Sequence, residues 1–333
     1  MDFNVLWDNV KHLNNVTGYS GKLRNRVREG KTVEEEVFRV YVSRKPDLME
    51  LALSQRIPPE IDGIPTDVWD IGAMVIPPLM KLKPLAYTQR IRPLIAGISF
   101  GNEAITTGTL GGFFEKKGDI GIGSNAHIIS ENPLVSGSIE KDILQPGTHD
   151  GGSAPQDIVT KYKWHQQLYG AESTCSLARS LAWTANSLSL LTMRRTRFKL
   201  VTEGLNKIDF GVTEEPQVPY ELKIHGVKEW SGFIGLGFAG SDMASFFCKA
   251  QNIVDQTGWK PVDADIETVK EGDTLHKVGR TTEYTNGKVL DDCAHGTVNY
   301  GGYSYIEFDD LIMTEAMLEG GDSGDSAWAR MVI

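Results

Sequence analysis

Residues 319–329 read Glu-Gly-Gly-Asp-Ser-Gly-Asp-Ser-Ala-Trp-Ala, and this stretch is the most informative part of the sequence for predicting the fold. Ser323 lies in a Gly-Asp-Ser-Gly run. Glycine adopts backbone angles that other residues resist, so such a turn can expose a hydroxyl and direct backbone N–H groups at one point. A nucleophilic serine needs this arrangement. The run predicts Ser323 as a nucleophile, with the N–H groups of Gly321 and Ser323 as an oxyanion hole.

Two upstream stretches supply the groups that would activate this serine. Ser-Asn-Ala-His-Ile-Ile at 124–129 places His127 beside an apolar run, and Asn-Lys-Ile-Asp-Phe-Gly-Val at 206–212 places Asp209 inside a strand-like run. A serine hydroxyl needs a neighbouring base, and the base needs an orienting group. Each stretch alone is more often a surface turn, a packed histidine or a solvated edge residue. Together, in the order His127, Asp209, Ser323, they predict a catalytic triad.

Two other aspartates compete with Asp209 for the third position. Asp150 and Asp157 lie closer to His127 along the chain. The glycine-rich sequence after Asp150 predicts a loop, whereas the apolar residues around Asp209 predict a strand. Asp209 is therefore preferred, and the geometry of the three carboxylates decides between them.

The chain order His127, Asp209, Ser323 resembles that of the trypsin/chymotrypsin-like serine proteases. Residues 277–289, Lys-Val-Gly-Arg-Thr-Thr-Glu-Tyr-Thr-Asn-Gly-Lys-Val, resemble a stretch of a bacterial and phage branch of that family, to which the plant narrow-leaf-type proteases are distantly similar. Residues 107–111, 143–147 and 150–153 are similar to the same branch. The resemblance covers roughly residues 89–333. It implies a two-barrel fold and peptide-bond hydrolysis through an acyl-enzyme.

The pattern along the chain predicts three regions. Residues 1–88 predict an α/β accessory domain with strands at 37–42 and 68–71 and a helix at 45–53. Residues 89–215 predict a first β-barrel, interrupted by a helical insertion at 170–197, and residues 216–333 predict a second β-barrel that carries the nucleophile. With the resemblance, the predicted fold class is mainly β: a two-barrel trypsin-like (chymotrypsin) fold with an N-terminal α/β domain.

The second barrel departs from the pattern of the family. The sequence ends at Ile333, ten residues after Ser323, whereas the relatives continue with a hairpin and a terminal helix. Residues 233–241 and 245–254 resemble that missing element. One hypothesis is a circularly permuted second barrel, with this hairpin supplied upstream. The alternative is that residues 229–258 are ordinary early strands of a truncated or processed chain. Residues 238–241 running beside residues 321–323 would favour permutation.

The resemblance also implies which residues contact a substrate. The predicted substrate-binding residues are Met317 and Leu318, before the glycine turn, and Phe238, Ala239 and Gly240, in the hairpin. Met317 falls near the base of the primary pocket, so an apolar or small substrate side chain is expected.

The resemblance further implies a role for Asp322 in shaping residues 319–325, called here the nucleophile turn after the role predicted for Ser323. In the family, the matching residue often forms an ion pair with a new N-terminus made by activation cleavage. No activation site is evident in this sequence. Arg280 is the candidate partner of Asp322.

Composition limits the other functions. The net charge of −10 argues against nonspecific binding of nucleic acid or anionic membranes. Three widely spaced cysteines, and residues 1–5 without a signal-peptide pattern, predict a cytoplasmic protein of a microbe or a phage-infected cell. Neither the G-x-G-x-x-A match at 121–126 nor the acidic run at 263–273 has the context of a real site, so no cofactor and no metal are predicted.

The sequence thus favours a serine endopeptidase that acts on a peptide or protein substrate. An inactive binding or assembly protein on the same fold is the main alternative, and an esterase with the same triad is a third. Homo-oligomer formation stays open.

Overall fold

The computed structural model describes residues 2–28, 31–47, 49–76, 86–105, 107–135, 141–170, 183–184, 204–300 and 305–333. Over these ranges the protein is mainly β. The N-terminal elements are α1 (Phe3–Asp8), β1 (Val16–Ser20), β2 (Arg24–Arg28), β3 (Lys31–Val42), a 3-10 turn (Leu53–Gln55), β4 (Glu60–Ile61) and β5 (Ile64–Asp70).

The middle of the chain supplies seven strands of a curled sheet and two further strands that pair with each other. Its elements are a 3-10 turn (Ala86–Thr88), β6 (Leu94–Ala96), β7 (Ser99–Asn102), β8 (Gly108–Thr109), β9 (Gly112–Lys116), β10 (Asp119–Ser124), α2 (Ala126–Ile129), β11 (Asp142–Leu144), a 3-10 turn (Thr148–Asp150), β12 (Ile158–His165), β13 (Gly211–Thr213) and β14 (Tyr220–Ile224).

The last part of the chain supplies the remaining elements. They are β15 (Glu229–Gly240), β16 (Ala244–Lys249), α3 (Ala250–Thr257), β17 (Lys260–Pro261), β18 (Thr274–Gly279), β19 (Glu283–Asn299), β20 (Tyr305–Glu315) and β21 (Ser326–Val332). Helix α3 ends at Gly258, whose left-handed backbone (φ 73°) lets its N–H bond to the Val254 carbonyl.

Six of these strands close into a barrel. They run β18-β21-β15-β16-β20-β19, and β18 pairs back to β19 to complete the ring. The side chains of Leu236, Phe238 and Phe246 are fully buried in the main apolar core, which also includes residues of the curled sheet. Burial of large apolar side chains contributes roughly 2–3 kcal/mol each to folding.

A second sheet of eight strands curls into a half-barrel, in the order β17-β9-β10-β13-β12-β11-β7-β8. Strand β17 comes late in the chain but pairs with β9, with Lys260 opposite Glu115. Strands β6 and β14 form a separate parallel pair. The late strand β17 and the shared core connect the half-barrel to the closed barrel.

The N-terminal strands extend the barrel sheet. Strand β1 pairs antiparallel with β19, and β3 pairs parallel with β5, with Phe38 opposite Thr66. The predicted helix at 45–53 is wrong, since its described residues form turns and the start of a 3-10 turn. Met49 is 94% exposed and Leu53 is 81% exposed, so the apolar periodicity of this stretch had no surface to pack against.

The predicted helical insertion at 170–197 lies outside the described residues, apart from Gly170 and the helical Trp183 and Thr184. In the described ranges, none of the helices has the length and apolar character needed to span a bilayer.

The hairpin of β15 and β16 lies beside the nucleophile turn. Strand β15 runs antiparallel to β21, with Leu236 opposite Ser326. The pairing continues to the turn itself, because Gly237 N donates to Asp325 O (3.0 Å) and Gly324 N donates to Gly237 O (2.9 Å). The contact joins Gly237 to residues 324–325, next to the segments 238–241 and 321–323 whose proximity the permutation hypothesis predicts, and the permutation itself stays a prediction.

Candidate active site

His127 and Asp209 are in direct contact. His127 lies in the short helix α2, which follows β10, and Asp209 lies just before β13. Strands β10 and β13 pair with Ser124 opposite Gly211, and this register brings the two side chains together. His127 Nδ1 lies 2.5 Å from Asp209 Oδ2, and Ala126 N donates to Asp209 Oδ1 at 2.7 Å. Asp209 is fully buried, and its two oxygens hold the helix and the ring in place.

Tyr300 is a third partner of Asp209 that the sequence did not reveal. Its hydroxyl donates to Asp209 Oδ2, the oxygen that also faces His127. The rings of Tyr300 and His127 pack edge to face, with centroids 5.7 Å apart. Burial, together with the Asp209 charge, raises the pKa of Tyr300 well above its usual value. Tyr300 therefore stays protonated and remains a donor to Asp209.

The other nitrogen of His127 is unbonded. Because Asp209 is an acceptor, Nδ1 carries the proton and Nε2 is left as the basic nitrogen. Nε2 is buried and has no hydrogen-bond partner within the described ranges. This tautomer is the one that a general base requires.

The nucleophile turn leaves two backbone donors free. Gly321 (φ 101°) and Gly324 (φ 94°) take left-handed angles on either side of Ser323. The N–H groups of Asp322, Gly324 and Asp325 are all hydrogen-bonded. Among the described residues, those of Gly321 and Ser323 donate to no acceptor. The two free donors are the pair predicted for the oxyanion hole.

A buried lysine anchors this turn. Lys277 Nζ lies 2.8 Å from Asp322 Oδ2 and 3.0 Å from Asp325 Oδ2, and all three side chains are fully buried. Asp322 also accepts the backbone N–H groups of Thr281 (2.8 Å) and Thr282 (3.1 Å). The ion pair expected for Asp322 is present, but its cation is an internal side chain.

The pKa values of the two aspartates move in opposite directions. Burial opposes ionisation of Asp322, but the Lys277 charge and the hydrogen bonds outweigh it and lower the pKa of that carboxyl. Burial raises the pKa of Asp325 to about 7, against the opposing effect of Lys277. The negative charge of Asp322 adds to the effect of burial on the pKa of Asp325, whereas Asp322 is stabilised by more hydrogen bonds.

Arg280 is not the partner of Asp322, so that prediction is wrong. Its guanidinium pairs with Asp150 through two nitrogens, one of them Nε at 2.7 Å from Oδ2. Asp157 accepts the Ser153 N–H at 3.0 Å and lies 3.6 Å from Arg90. Both competitors of Asp209 are thus engaged by other groups, and Asp209 is the carboxylate at His127.

Strand β8 joins the two halves of the site. Thr109 N donates to Ser323 O at 2.8 Å, and Thr109 Oγ1 donates to Gly321 O at 3.0 Å. Ser124 Oγ, three residues before His127, donates to Thr109 O at 2.9 Å. The nucleophile turn and the helix of His127 therefore flank the same strand. Within the described ranges Ser323 Oγ and His127 Nε2 are not hydrogen-bonded, and catalytic contacts are often loose without substrate.

The predicted substrate-binding residues lie next to the turn with their side chains turned inward. Phe238 and Ala239 are fully buried, and Met317 and Leu318 are 5% and 8% exposed. The accessible groups of this region are therefore mainly backbone groups. The backbone N–H and carbonyl of Gly240 are hydrogen-bonded to Val75.

An apolar cavity of about 170 Å³ lies elsewhere, lined in part by Phe113, Trp230, Phe233 and Trp328. None of the predicted site residues lines it. Its position does not coincide with the triad.

Comparison with known proteins does not assign the chain to a family. No protein-family profile matches it, and no curated protein matches it.

Proposed function

We propose that this protein is a serine endopeptidase with a trypsin-like two-barrel fold. The observation that carries the proposal is the contact of Asp209 with His127 Nδ1, which leaves Nε2 as the basic nitrogen. The free N–H groups of Gly321 and Ser323, on a turn anchored by Lys277, support it. The pairing of β15 with β21 beside the turn supports a circularly permuted second barrel.

The reaction would proceed in two halves. His127 Nε2 takes the proton of Ser323 Oγ as this oxygen attacks the peptide carbonyl. The N–H groups of Gly321 and Ser323 stabilise the oxyanion, each by roughly 3 kcal/mol. His127 returns the proton to the leaving amine, which leaves an acyl-enzyme. A water, deprotonated by His127, then releases the acid and restores Ser323.

An inactive protease-fold binding protein is the second candidate. The observation that favours it is the missing hydrogen bond between Ser323 and His127 within the described ranges. The two candidates differ in whether the Ser323 hydroxyl is reactive.

Labelling with a fluorophosphonate probe tests this reactivity. The wild type is expected to be labelled at Ser323, while Ser323→Ala and His127→Ala lose labelling and keep the wild-type circular dichroism spectrum. Ser326→Ala is the matched control, because Ser326 follows the same turn and should leave labelling intact. A folded wild type without labelling would favour the binding protein. Equal labelling of the His127→Ala variant would also contradict the proposal.

A further inference from the structure

A segment of the chain occupies the backbone edge next to the nucleophile turn. Residues 71–76, called here the linker strand, follow β5 and pass between the ends of β15 and β19. Val75 N donates to Gly240 O at 3.1 Å, and Gly240 N donates to Val75 O at 3.0 Å. On the other side, Ile76 N donates to Asn299 O at 3.1 Å and Asn299 N donates to Met74 O at 2.9 Å. The linker strand is thus bound on both edges.

The edge of β15 changes partner at the site. Up to Gly237 it is paired with β21 and the end of the nucleophile turn. At Gly240, three residues further on, the partner is Val75. Without the linker strand, this stretch of β15 would be an open edge that begins beside the nucleophile turn. Extended peptides bind such edges by adding a strand, with backbone hydrogen bonds for affinity and side-chain pockets for specificity.

One side chain of the linker strand fills a shaped pocket. Met74 is 3% exposed, and it lies over Gly296 of β19. A Cβ atom at Gly296 would lie 2.5 Å from Met74 Sδ, so the Met74 thioether occupies the space that the missing side chain at Gly296 leaves open. The pocket accepts an unbranched apolar side chain.

The start of the linker strand is held at two points. Ile71 N donates to Val42 O of β3 at 3.0 Å, and Ser241 Oγ donates to Ile71 O. Gly72 takes a left-handed angle (φ 71°), where a Cβ atom would lie 2.9 Å from Ser241 Cβ. The N-terminal sheet therefore delivers the linker strand to the edge of β15.

We infer that the linker strand occupies the peptide-binding groove of the proposed protease. In this conformation the enzyme is self-inhibited. When the linker strand leaves, the same groove binds an extended peptide antiparallel to Gly240, with an unbranched apolar residue in the pocket of Met74. This inference rests on the proposed function for its catalytic consequence, but the groove itself can be tested by binding alone.

The first test compares Met74→Asp with Met49→Asp. A carboxylate over Gly296 should expel the linker strand, whereas Met49 is 94% exposed and its replacement should change nothing. Expulsion should raise kcat/KM at least about tenfold for a peptide substrate in which Met is followed by Val, as at residues 74–75. The rate of fluorophosphonate labelling should change much less. Hydrogen exchange at the Gly240 and Asn299 amides should accelerate. Exposed amides without faster hydrolysis would overturn self-inhibition.

The second test measures binding without catalysis. In Ser323→Ala, fluorescence polarisation should show weak binding of the labelled peptide Ile-Gly-Ala-Met-Val-Ile, and adding Met74→Asp should strengthen it. The same peptide with Met replaced by Asp is the control and should not bind. Failure of the first peptide to bind a folded double variant would overturn the groove. Binding with no labelling of any variant that keeps Ser323 would retain the groove and reject the protease.

The third test covers a Met74→Asp variant that does not fold. Wild-type protein is treated with a tetrapeptidyl phosphonate and with a small fluorophosphonate. The inference expects slow reaction with the first, and faster exchange of the Met74–Ile76 amides once it has reacted. Reaction of the peptidyl reagent with no change in this exchange would overturn the inference.

Discussion

Asp209 and Asp322 are both fully buried, but they are used in different ways. The carboxylate of Asp322 accepts from five donors, including the Lys277 ammonium, and every one of them belongs to the barrel that holds the nucleophile turn. The carboxylate of Asp209 accepts from Ala126, His127 and Tyr300, and one of these is an imidazole with a free second nitrogen. A saturated carboxylate fixes a turn, while a carboxylate bound to an imidazole orients a base.

Replacement of Asp209 is expected to have the greatest effect on catalysis. Asp209→Asn should lower kcat about 10⁴-fold, because the amide favours the wrong tautomer of His127. Asp150→Asn is the matched control. It should lower stability, since the buried Arg280 loses its charge partner, but it should leave kcat of the folded enzyme nearly unchanged. An equal fall of kcat in both variants would remove Asp209 from its assigned role.

Removal of the cation beside Asp322 is expected to reduce stability. Lys277→Met leaves two buried carboxylates without a cation, so the free energy of unfolding should fall by about 3–5 kcal/mol. Urea denaturation measures this loss. Lys223→Met removes an exposed pair with Glu221 and should cost less than about 1 kcal/mol. Similar small losses in the two variants would show that Lys277 does not anchor the turn.

Asp325, the neighbour of Asp322 at Lys277, should make the stability of the protein depend on pH. The folded state holds the Asp325 proton up to a pKa of about 7, whereas the unfolded state releases it near 3.8. This contribution to stability is complete below the unfolded value and is lost as pH rises through the folded one. Asp325→Asn lacks this titration. The free energy of unfolding of Asp325→Asn, relative to that of the wild type, should therefore increase as pH rises from about 4 to about 7.

Urea unfolding at about pH 5 and about pH 8 measures this gain. The exposed variant Asp242→Asn is the control and should follow the wild type at both values. Parallel stabilities of Asp325→Asn and the wild type between these two pH values would mean that Asp325 is already ionised in the folded state throughout this range.

The smallest expected effect concerns Tyr300. Tyr300→Phe keeps the ring against His127 but removes one hydrogen bond to Asp209, so kcat should fall by roughly tenfold, equivalent to about 1.4 kcal/mol. Tyr305→Phe, at a 70% exposed position, should leave kcat unchanged. No change in Tyr300→Phe would show that Ala126 and His127 suffice to hold the carboxylate.

Short sequence motifs predicted the candidate site residues better than the residues that hold them in place. The residues around His127, Asp209 and Ser323 were readable because each carries its chemistry in a local pattern, although their catalytic roles stay a prediction. Tyr300 left no such signal, since only the β19–β20 connection brings it to Asp209. Lys277 lay in a quoted motif, but a lysine next to an apolar valine on a strand is expected on the opposite, solvent-facing side, so its burial could not be predicted from the sequence.

The mainly β fold followed from glycine-rich turns and short apolar runs, but long-range choices did not. The apolar periodicity at 45–53 predicted a helix, but it carries no information about whether a surface exists to bury Met49 and Leu53, and both are exposed. The engagement of Asp150 by Arg280 spans 130 residues and depends on tertiary structure alone. The local sequence indicates the chemistry that a side chain can perform, whereas tertiary packing determines which partner it contacts.

Strand β21 is the element that follows the nucleophile turn, and it pairs with β15 on one side and β18 on the other. The ring of the barrel cannot close without it. The turn that holds Ser323 therefore leads into a strand whose two partners lie far apart in the sequence, and both must be in place for the ring to close. A partly folded molecule would lack both the ring and the reactive turn, so activity would report completion of the tertiary structure.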